Sequence, residues 1–531
     1  MIIWIPFHAF SYTGEVIKSF NIPSNYPTGL TFDRKNLWFA DYQTDLLYCI
    51  DPESGKVLRT LPSPAYWPEG LAWDGEFLWN ADVKGGIPLS EHYAGKIYKL
   101  DPKNGKILKT IESPSSTPRG LAWDGKYLWC VDSDASEVIQ FSPEDGTTIK
   151  SFRSPSDDPR GLTYDGTYLW ISDRMKDEIY MVDPKTGAVI LIADAPGEFT
   201  TGLCFDGTNL WAIDYQEDKL YQLKIRDGEK FKTFNPHKAK ITFTHQVTNF
   251  GPGTLSSADI HIAIPKDRPN QDIIDSPLFE LGFTDKLTDN WGQETAHYHF
   301  ENIAPGNHVQ AEMTTVANIS EIRYFIYPDQ VGKLSEIPVD IQDKYLENND
   351  KYQMDHPVIQ NALKEAIGEE SNPYWISRKI FDYLREKMFY EMVGGWNTAP
   401  TVLARGNGSC SEYTFVYISM CRAAGLPARY VGSVVVRGDY ACMDDVFHRW
   451  VEVYLPNYGW VPIDPSGGDQ DWPRDQANYI GHLSHRYLIT TESGGGSETM
   501  GWTYNSNEFW ITDPKTYVVS DHFAEWEPLT E

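Results

Sequence analysis

A motif that recurs five times in the first 226 residues constrains the fold of this 531-residue chain more than any other feature. The motif consists of Gly-Leu-x-x-Asp, a Leu-Trp pair and a further Asp, and its first copy runs from Gly29 to Asp41. The glycines that start the copies are 41, 50, 41 and 41 residues apart, at Gly29, Gly70, Gly120, Gly161 and Gly202. Self-similarity at such a period indicates a repeat architecture, in which each copy builds one structural unit.

Turns divide each repeat into four short apolar segments, as at Asp51-Pro52-Glu53-Ser54-Gly55. Four strands in about 41 residues are typical of one β-propeller blade. The fifth repeat ends near Leu223 without a fourth strand, and the segment 12–20 supplies one from the other end of the chain. We therefore predict a closed five-bladed β-propeller over residues 1–228, with the insertion at 83–95 forming an exposed loop.

The last Asp of each copy has two interpretations. The favoured one is a turn cap that accepts backbone hydrogen bonds, and the alternative is a cation held in the central channel. These residues are Asp41, Asp82, Asp132, Asp173 and Asp214. The residues before the five glycines differ from copy to copy, which favours a recognition face whose candidate ligands are a protein or a glycan. They are Thr28, Glu69, Arg119, Arg160 and Thr201.

Period-two alternation replaces the repeat from about Lys238, as in Ile260, Ile262 and Ile264. Alternation without helical segments predicts an antiparallel, immunoglobulin-like β-sandwich for residues 235–340. His297 and His299 share one strand face and could form a metal pair, but the sequence shows no obvious third ligand. We therefore predict surface histidines and no metal site.

Helical periodicity begins after residue 350, and one predicted helix follows the glycine-rich segment 406–409 and stops at Gly425. This places Cys410 in the first turn. Backbone N–H groups and the positive end of the helix dipole favour a thiolate there, and a thiolate is the reactive nucleophile. Cys421, three turns further, is predicted to be core, while Cys442 leaves open a regulatory disulfide with Cys410.

A nucleophilic cysteine requires a base and a group that orients the base. His448 and Asp464 lie on two predicted strands that the turn 456–459 joins into a hairpin, so that they meet near one end. A carboxylate bound to one imidazole nitrogen selects the tautomer that presents the other nitrogen to the sulfur.

Four segments in this order resemble the transglutaminase-like superfamily; they are Gly408-Ser409-Cys410, the segment 422–432, His448-Arg449-Trp450-Val451-Glu452-Val453-Tyr454 and the segment 459–466. The resemblance implies an α+β papain-like domain, here residues 341–531 with a C-terminal β extension. It also implies Cys410 as nucleophile, His448 as general base and acid, and Asp464 as orienter.

Two further residues bear on this resemblance. Trp396 could donate its indole N–H to an oxyanion, although packing is the favoured interpretation. Arg449 stands where the family has a small residue, and strand alternation points it away from His448, so we expect little effect on the site.

The multidomain chain is therefore predicted to be a cysteine enzyme that acts on amide bonds through a thioester, with a protein or peptide as substrate and no cofactor. The resemblance implies hydrolysis, as in a peptidase or amidase, because microbial members of the superfamily are largely hydrolytic. Protein-glutamine cross-linking and a non-catalytic propeller scaffold remain the alternatives. A metal or redox protein would need ligand clusters that the sequence lacks.

Charge and hydropathy exclude other classes of function. The chain has 46 Lys and Arg against 75 Asp and Glu, a net charge of −29, which argues against nucleic acid as a partner. It contains no apolar run long enough for membrane insertion. The absence of a signal-peptide pattern and of paired cysteines favours the cytoplasm. An added N-terminal methionine, or extracellular relatives, would favour export instead.

Overall fold

Five four-stranded antiparallel sheets occupy the repeat region of the computed structural model, which describes residues 11–83, 95–226, 228–280, 282–392, 395–512 and 515–529. Their strands are β1 Val16–Asn21, β2 Pro27–Phe32, β3 Leu37–Asp41, β4 Leu46–Ile50, β5 Val57–Pro62, β6 Pro68–Trp73, β7 Leu78–Asp82, β8 Lys96–Leu100, β9 Ile107–Glu112, β10 Pro118–Trp123, β11 Leu128–Asp132, β12 Glu137–Phe141, β13 Thr148–Arg153, β14 Pro159–Tyr164, β15 Leu169–Asp173, β16 Glu178–Val182, β17 Val189–Asp194, β18 Thr200–Phe205, β19 Leu210–Asp214 and β20 Lys219–Leu223.

Four of these sheets each use four consecutive strands, and the fifth has the order β1-β20-β19-β18. The prediction that an N-terminal strand completes the last repeat is therefore confirmed. Residues 1–10, considered for a signal peptide, and residues 84–94, which make up most of the predicted exposed loop, lie outside the described residues.

The aspartates of the motif satisfy buried polar groups within their own repeat. Asp33 accepts the indole N–H of Trp38 at 2.8 Å, and the equivalent pair recurs in all five repeats at 2.8–2.9 Å. In the four copies whose following turn is described, the last Asp caps that turn, as where Asp173 accepts the backbone N–H groups of Met175 and Lys176 at 2.8 Å. The favoured interpretation as turn caps is confirmed for Asp41, Asp132, Asp173 and Asp214, whereas the turn that follows Asp82 lies outside the described residues.

The motif glycines allow the first strands of successive repeats to approach closely. A Cβ on Gly120 would lie 2.5 Å from the carbonyl oxygen of Arg160 in the next repeat. The fifth repeat returns to the first, because a Cβ on Gly202 would lie 2.6 Å from the carbonyl oxygen of Thr28. The five sheets therefore fit repeated blades, with their first strands side by side.

A short segment from late in the chain, Gln470–Ala477, belongs to the compact unit formed by these sheets. It contains the helix Pro473–Ala477, and Arg474 pairs with Glu178 at 2.7 Å. Arg153 stacks on Trp472 at 3.6 Å. No periodicity in the sequence predicted this placement, since cation–π and ion-pair contacts between distant segments leave no local pattern.

The second compact unit comprises Phe231–Asp469 and Asn478–Glu531. Its strands and helices, in chain order, are β21 Phe231–Gly251, β22 Leu255–Ala263, β23 Gln271–Phe279, β24 Phe283–Thr288, β25 Glu294–Ile303, β26 His308–Tyr324, α1 Val339–Tyr345, α2 Pro357–Ile367, α3 Pro373–Lys387, β27 Phe389–Tyr390, α4 Ala399–Arg405, β28 Asn407–Gly408, α5 Cys410–Ala423, β29 Ala428–Val435, β30 Cys442–Asp444, β31 His448–Leu455, β32 Gly459–Ile463, β33 His482–Leu483, β34 Tyr487–Ser493, β35 Ser506–Thr512 and β36 Tyr517–Pro528. Two one-turn 3₁₀ helices, Pro328–Gln330 and Leu334–Glu336, precede α1.

Two antiparallel sheets in this unit share one apolar core. One has the order β23-β26-β21-β36-β30, with β33 beside β26, and the other has the order β24-β25-β22-β35. Phe243, Ile260 and Trp526 are among the buried residues that join them. The alternating segments thus form the expected layers, while the immunoglobulin-like topology stays a prediction. The last two strands, predicted as an extension of the catalytic domain, pair with β22 and β21.

Helices α2 to α5 and the sheet β32-β31-β29-β34 form the remaining part of the unit. Helix α5 is buried from Cys410 to Arg422, so even its charged residues Glu412 and Arg422 lie inside the domain. Of the helices in the described ranges, none combines the length and apolarity required to span a bilayer.

Candidate active site

The N-terminus of α5 positions Cys410 as the first residue of a buried helix. Ser409 precedes it in an extended conformation, and its backbone N–H donates to the carboxylate of Glu412 at 3.4 Å. Gly408 is required here, because a Cβ would lie 2.9 Å from the Cβ of Glu412. Cys410 is 8% exposed, so its sulfur combines helix-terminal electrostatics with limited access to solvent.

Glu412 also anchors the segment that carries Trp396. Its second carboxylate oxygen accepts from the backbone and side-chain nitrogens of Asn397 at 3.0 and 3.1 Å. Lys351 donates to the carbonyl oxygen of Trp396. These contacts fix Trp396 beside the first turn of α5, where it lines the same cavity as Cys410.

His448 begins β31, and Asp464 directly follows β32, the antiparallel partner of β31. Nε2 of His448 and Oδ2 of Asp464 are 2.7 Å apart. The other oxygen of Asp464 accepts from the backbone and hydroxyl of Ser466 at 3.0 and 2.7 Å and from the N–H of Gly467 at 3.0 Å. The carboxylate is therefore fixed in position, and Nδ1 is the ring nitrogen left for the hydrogen bond between His448 and the thiol of Cys410.

The electrostatics favour a thiolate–imidazolium pair. Burial raises the pKa of Cys410, but its hydrogen bond to His448 and the charge of that ring outweigh burial and lower the pKa below the ordinary value of 9.0. Burial lowers the pKa of His448, but Asp464 and Cys410 together hold it well above 6.5. For Asp464, burial raises the pKa, but the charge of His448, followed by its hydrogen bond to the carboxylate, outweighs burial and lowers the pKa overall. Each charged form is thus stabilised by its neighbour.

Arg449 contributes to this site, contrary to the expectation of little effect. The side chain points away from His448, as alternation predicted, but its backbone N–H donates to the sulfur of Cys410 and its charge lowers the pKa of that thiol. The guanidinium is fully buried among aromatic rings and donates to the carbonyl oxygen of Trp502 at 2.6 Å. The expectation was wrong because alternation excludes one neighbour without showing what lies on the other face of the strand.

Comparison with known proteins agrees with this geometry. Residues 361–465 match the model of the Transglutaminase-like superfamily. This segment is a transglutaminase-like domain. A protein-glutamine gamma-glutamyltransferase of Pseudomonas aeruginosa is 35% identical over 66 residues, which cover 11% of this chain and 10% of that protein. An uncharacterized protein of Haemophilus influenzae is 26% identical over 149 residues, which cover 24% of this chain and 40% of that protein.

The chain thus matches less than half the length of these two curated relatives. A solved structure from Cytophaga hutchinsonii named "Putative Cysteine Protease" is 15% identical, has a TM-score of 0.40, and covers 55% of this chain and 92% of that chain. Similarity to curated sequences is therefore local, and activity on a substrate has to be argued from the site itself.

A cavity of about 420 Å³ opens beside Cys410 in the transglutaminase-like domain. Trp396, Phe447 and Tyr504 contribute apolar surface to it, and the exposed Tyr390 and Met392 form part of its wall. The Tyr504 hydroxyl hydrogen-bonds to Cys410, a role that the sequence analysis did not assign to this residue. Tyr504 lies 94 residues after the cysteine, on a loop without a recognised motif, so no pattern in the sequence linked it to the thiol.

Trp396 packs against the guanidinium of Arg449 at 4.9 Å and stacks on Tyr504 with ring centres 6.2 Å apart. The packing interpretation therefore has direct support. The indole also borders the cavity beside Cys410, which leaves its N–H as a candidate oxyanion donor.

The other cysteines of interest lie away from this chemistry. Cys421 is fully buried in α5, as predicted. Cys442 is free and half-buried on β30, where it pairs with Trp526 of β36 and packs against the core of the two sheets.

The histidine pair has a third potential ligand that the sequence did not reveal. Asp259 lies opposite His299 on the neighbouring strand, and one of its oxygens contacts His297 at 2.8 Å and His299 at 2.7 Å. Two imidazoles and a carboxylate are ligands that transition metals accept. Here both imidazoles hydrogen-bond to the carboxylate of Asp259.

Proposed function

We propose that the transglutaminase-like domain is a cysteine-dependent acyl-transfer enzyme that acts on amide bonds of a protein or peptide. Cys410 is the nucleophile, His448 the general base and acid, and Asp464 the group that orients the imidazole. The observation that carries the proposal is the hydrogen-bonded series from Cys410 through His448 to Asp464, in which the thiol pKa is lowered and the imidazole pKa raised. Perturbed pKa values with a specific charge partner, as found for this pair, are typical of functional sites.

The reaction follows from the protonation states. The thiolate of Cys410 attacks the amide carbonyl carbon and forms a C–S bond, while the carbonyl electrons move to oxygen. His448 transfers its proton to the leaving nitrogen as the C–N bond breaks, which leaves a thioester and a free amine. Water then attacks the thioester, His448 takes a proton from that water, and the C–S bond breaks to release a carboxylic acid and the thiolate.

The tetrahedral intermediates require hydrogen-bond donors for their oxyanion. The backbone N–H of Cys410, at the start of α5, supplies one. We propose the indole N–H of Trp396 as the second, because the indole borders the cavity beside Cys410 and Glu412 holds the neighbouring Asn397 against the helix. Arg449 and Tyr504 pack against the indole ring and fix the orientation of its plane.

Hydrolysis is the acyl transfer we favour, as in a peptidase or amidase. Tyr390 and Met392, in the wall of the cavity, are exposed, so water has access to the thioester from this side. Transfer to a second amine is the other candidate, supported by the 35% identity to the gamma-glutamyltransferase over 66 residues. Both reactions share the thioester and differ in what resolves it.

We further propose that residues 1–228 form a closed five-bladed β-propeller that acts as a recognition module. An immunoglobulin-like sandwich follows at 235–340 and is extended by β35 and β36, and the catalytic domain begins at residue 341 and excludes the segment Gln470–Ala477. The return of the fifth repeat to the first, through Gly202 and Thr28, supports the closed ring. The six cysteines, all described, are free, which is typical of a reducing compartment and supports a cytoplasmic location.

Residue-resolved alkylation tests the nucleophile. Iodoacetamide at mildly acidic pH, followed by mass spectrometry, should label Cys410 at least about tenfold faster than an ordinary thiol of pKa ~8.5. The half-buried Cys442 is the internal reference for access. His448→Ala should abolish the advantage of Cys410. Equal rates for the two cysteines would contradict the proposal and leave the non-catalytic scaffold as the better account.

Product analysis separates hydrolysis from transfer. A peptide-amide library is incubated with the protein and with Cys410→Ala in heavy-oxygen water, in the presence and absence of a fluorescent primary amine. Incorporation of heavy oxygen into a new carboxyl group, dependent on Cys410, identifies hydrolysis. Incorporation of the fluorescent amine into the peptide would instead identify a cross-linking transferase.

A further inference from the structure

A cavity of about 350 Å³ lies at the point where the first strands of the five repeats begin. The five residues that precede the motif glycines all line it, one from each repeat; they are Thr28, Glu69, Arg119, Arg160 and Thr201. The glycines bring the backbones of these strands into contact, so the chemistry of the cavity depends on the side chains at this variable position and in the adjoining loops.

The third and fourth repeats make one half of the cavity cationic. Arg119 pairs with Glu69. Arg160 and Arg174 share the carboxylate of Asp158, at 2.8 and 2.7 Å. Three guanidinium groups thus face two carboxylates, in a chain whose net charge is −29. Burial, followed by the positive charge of Arg119, holds the pKa of Arg160 below its ordinary value, as expected where positive charge is not fully compensated.

The fifth, first and second repeats make the other half aromatic. Tyr26 contacts Tyr42 edge-on with ring centres 5.0 Å apart and stacks on Tyr215 at 6.4 Å. Tyr42 in turn contacts Trp67 at 6.5 Å. Tyr26, Tyr42 and Trp67 are each more than a third exposed and together form an exposed patch, which is more informative than a single exposed ring. The result is a row of rings opposite a group of cations.

We propose that this cavity binds a small organic acid, in which a carboxylate is attached to a six-membered ring. The carboxylate pairs with the guanidinium groups of Arg119, Arg160 and Arg174, since planar guanidinium suits bidentate contact with carboxylates. The ring lies against Tyr42 and Trp67. The volume suits a ligand of one or two rings. An acidic sugar and an aromatic acid share this chemistry, and the experiment distinguishes them.

Calorimetry on the full chain with matched acid–amide pairs tests the site. The sugar arm compares glucuronate with its neutral amide, and the aromatic arm compares 4-hydroxybenzoate with its amide. We expect at least one acid to bind and its amide to bind about tenfold more weakly or not at all, because the amide lacks the charge-assisted contact. The acid that binds shows whether the ligand is a sugar acid or an aromatic acid. The affinity of that acid should fall with added salt.

Variants assign the binding to the cavity. Arg160→Gln should weaken the acid about tenfold or more. Arg174→Gln, a more exposed position, serves if the first variant does not fold. Arg59→Gln is the matched control, because it removes the same charge from β5, the strand of its sheet furthest from the cavity.

Three results would overturn the proposal. They are equal affinity of an acid and its amide, equal loss of affinity in Arg59→Gln and Arg160→Gln, and absence of binding by both acids up to about 10 mM. Because alkylation of Cys410 reports on the other compact unit, failure here leaves the proposed acyl-transfer function untouched.

Discussion

The guanidinium of Arg449 lies 4.3 Å from the centre of the Tyr504 ring, and both residues interact electrostatically with the Cys410 thiol. Three further rings surround the same guanidinium, with Tyr430, Trp396 and Phe415 at 4.5, 4.9 and 5.4 Å. Aromatic faces stabilise a buried cation without neutralising it, as a carboxylate would. The positive charge therefore remains available to stabilise the thiolate.

Arg449→Met is predicted to raise the pKa of the Cys410 thiol, since it removes a cation from beside the thiolate and keeps most of the side-chain volume. The pH dependence of alkylation at Cys410 should move upward by about one unit. Arg449→Lys keeps the charge but not the planar stacking, so it should move the profile less. An unchanged profile in a folded Arg449→Met variant would show that the arginine serves packing alone.

Asp464→Asn tests the orienter through the pH profile of the same thiol. The charge of Asp464 raises the pKa of His448. Its removal should lower that pKa, raise the pKa of Cys410, and so narrow the pH range in which the ion pair exists. Hydrolysis should fall on the order of 10²–10⁴-fold, because an amide also permits the wrong imidazole tautomer.

The measurement is the alkylation rate of Cys410 between about pH 4 and 9 in the parent protein and in Asp464→Asn. Asp445→Asn is the matched control, because this carboxylate lines the cavity beside Cys410 while Oδ2 of Asp464 occupies Nε2 of His448. A similar narrowing in both variants would mean that general electrostatics, and not the hydrogen bond, sets the profile.

The sequence was sufficient for part of this site and not for the rest. Cys410, His448 and Asp464 could be predicted because each lies in a short segment with a local signal: a helix start or one strand of a hairpin. The roles of Tyr504 and Arg449 could not be predicted, because they depend on a contact between two side chains that are 55 residues apart in the sequence. In the same way, alternation predicted β35 and β36 as strands but could not show that they pair with β22 and β21.

Glu452 should make stability of the second unit depend on pH. Burial raises its pKa, but Arg268 and Arg429 outweigh burial and lower the pKa below 4.5. A group whose pKa is lowered on folding stabilises the protein above its unfolded pKa, and this stabilisation is lost as pH falls through the folded pKa. Glu452→Gln should therefore cost about 3 kcal/mol near neutral pH and progressively less below about pH 4.

Cys421 is fully buried, so it reacts with an alkylating reagent only when the second unit unfolds. The measurement is the fraction of Cys421 alkylated in a short pulse at increasing urea concentrations. Glu527→Gln is the control, because Glu527 forms an exposed ion pair with Lys240 at 3.6 Å and should leave the urea midpoint unchanged. If the free energy of unfolding of Glu452→Gln differs from that of the parent protein by the same amount at every pH, the loss of stability reflects packing and not charge.

The repeat glycines yield a prediction for the first unit alone. Gly120→Ala places a Cβ 2.5 Å from both the carbonyl oxygen of Arg160 and the backbone nitrogen of Leu162, and backbone atoms of a neighbouring strand cannot shift easily. We expect a loss of about 1–3 kcal/mol, as for other overpacked sites. The fully buried Cys130, on β11 of the same sheet, should become accessible to alkylation at lower urea, whereas Cys421 of the second unit should not.

Gly438→Ala is the matched control for this substitution, because nothing lies within 4 Å of its added Cβ. If both variants shift the Cys130 midpoint equally, close contact between successive repeats is not the cause of the shift. A shift confined to Gly120→Ala would show that close contact between successive repeats fixes this residue, which explains why the motif keeps glycine in all five copies while the residue before it varies.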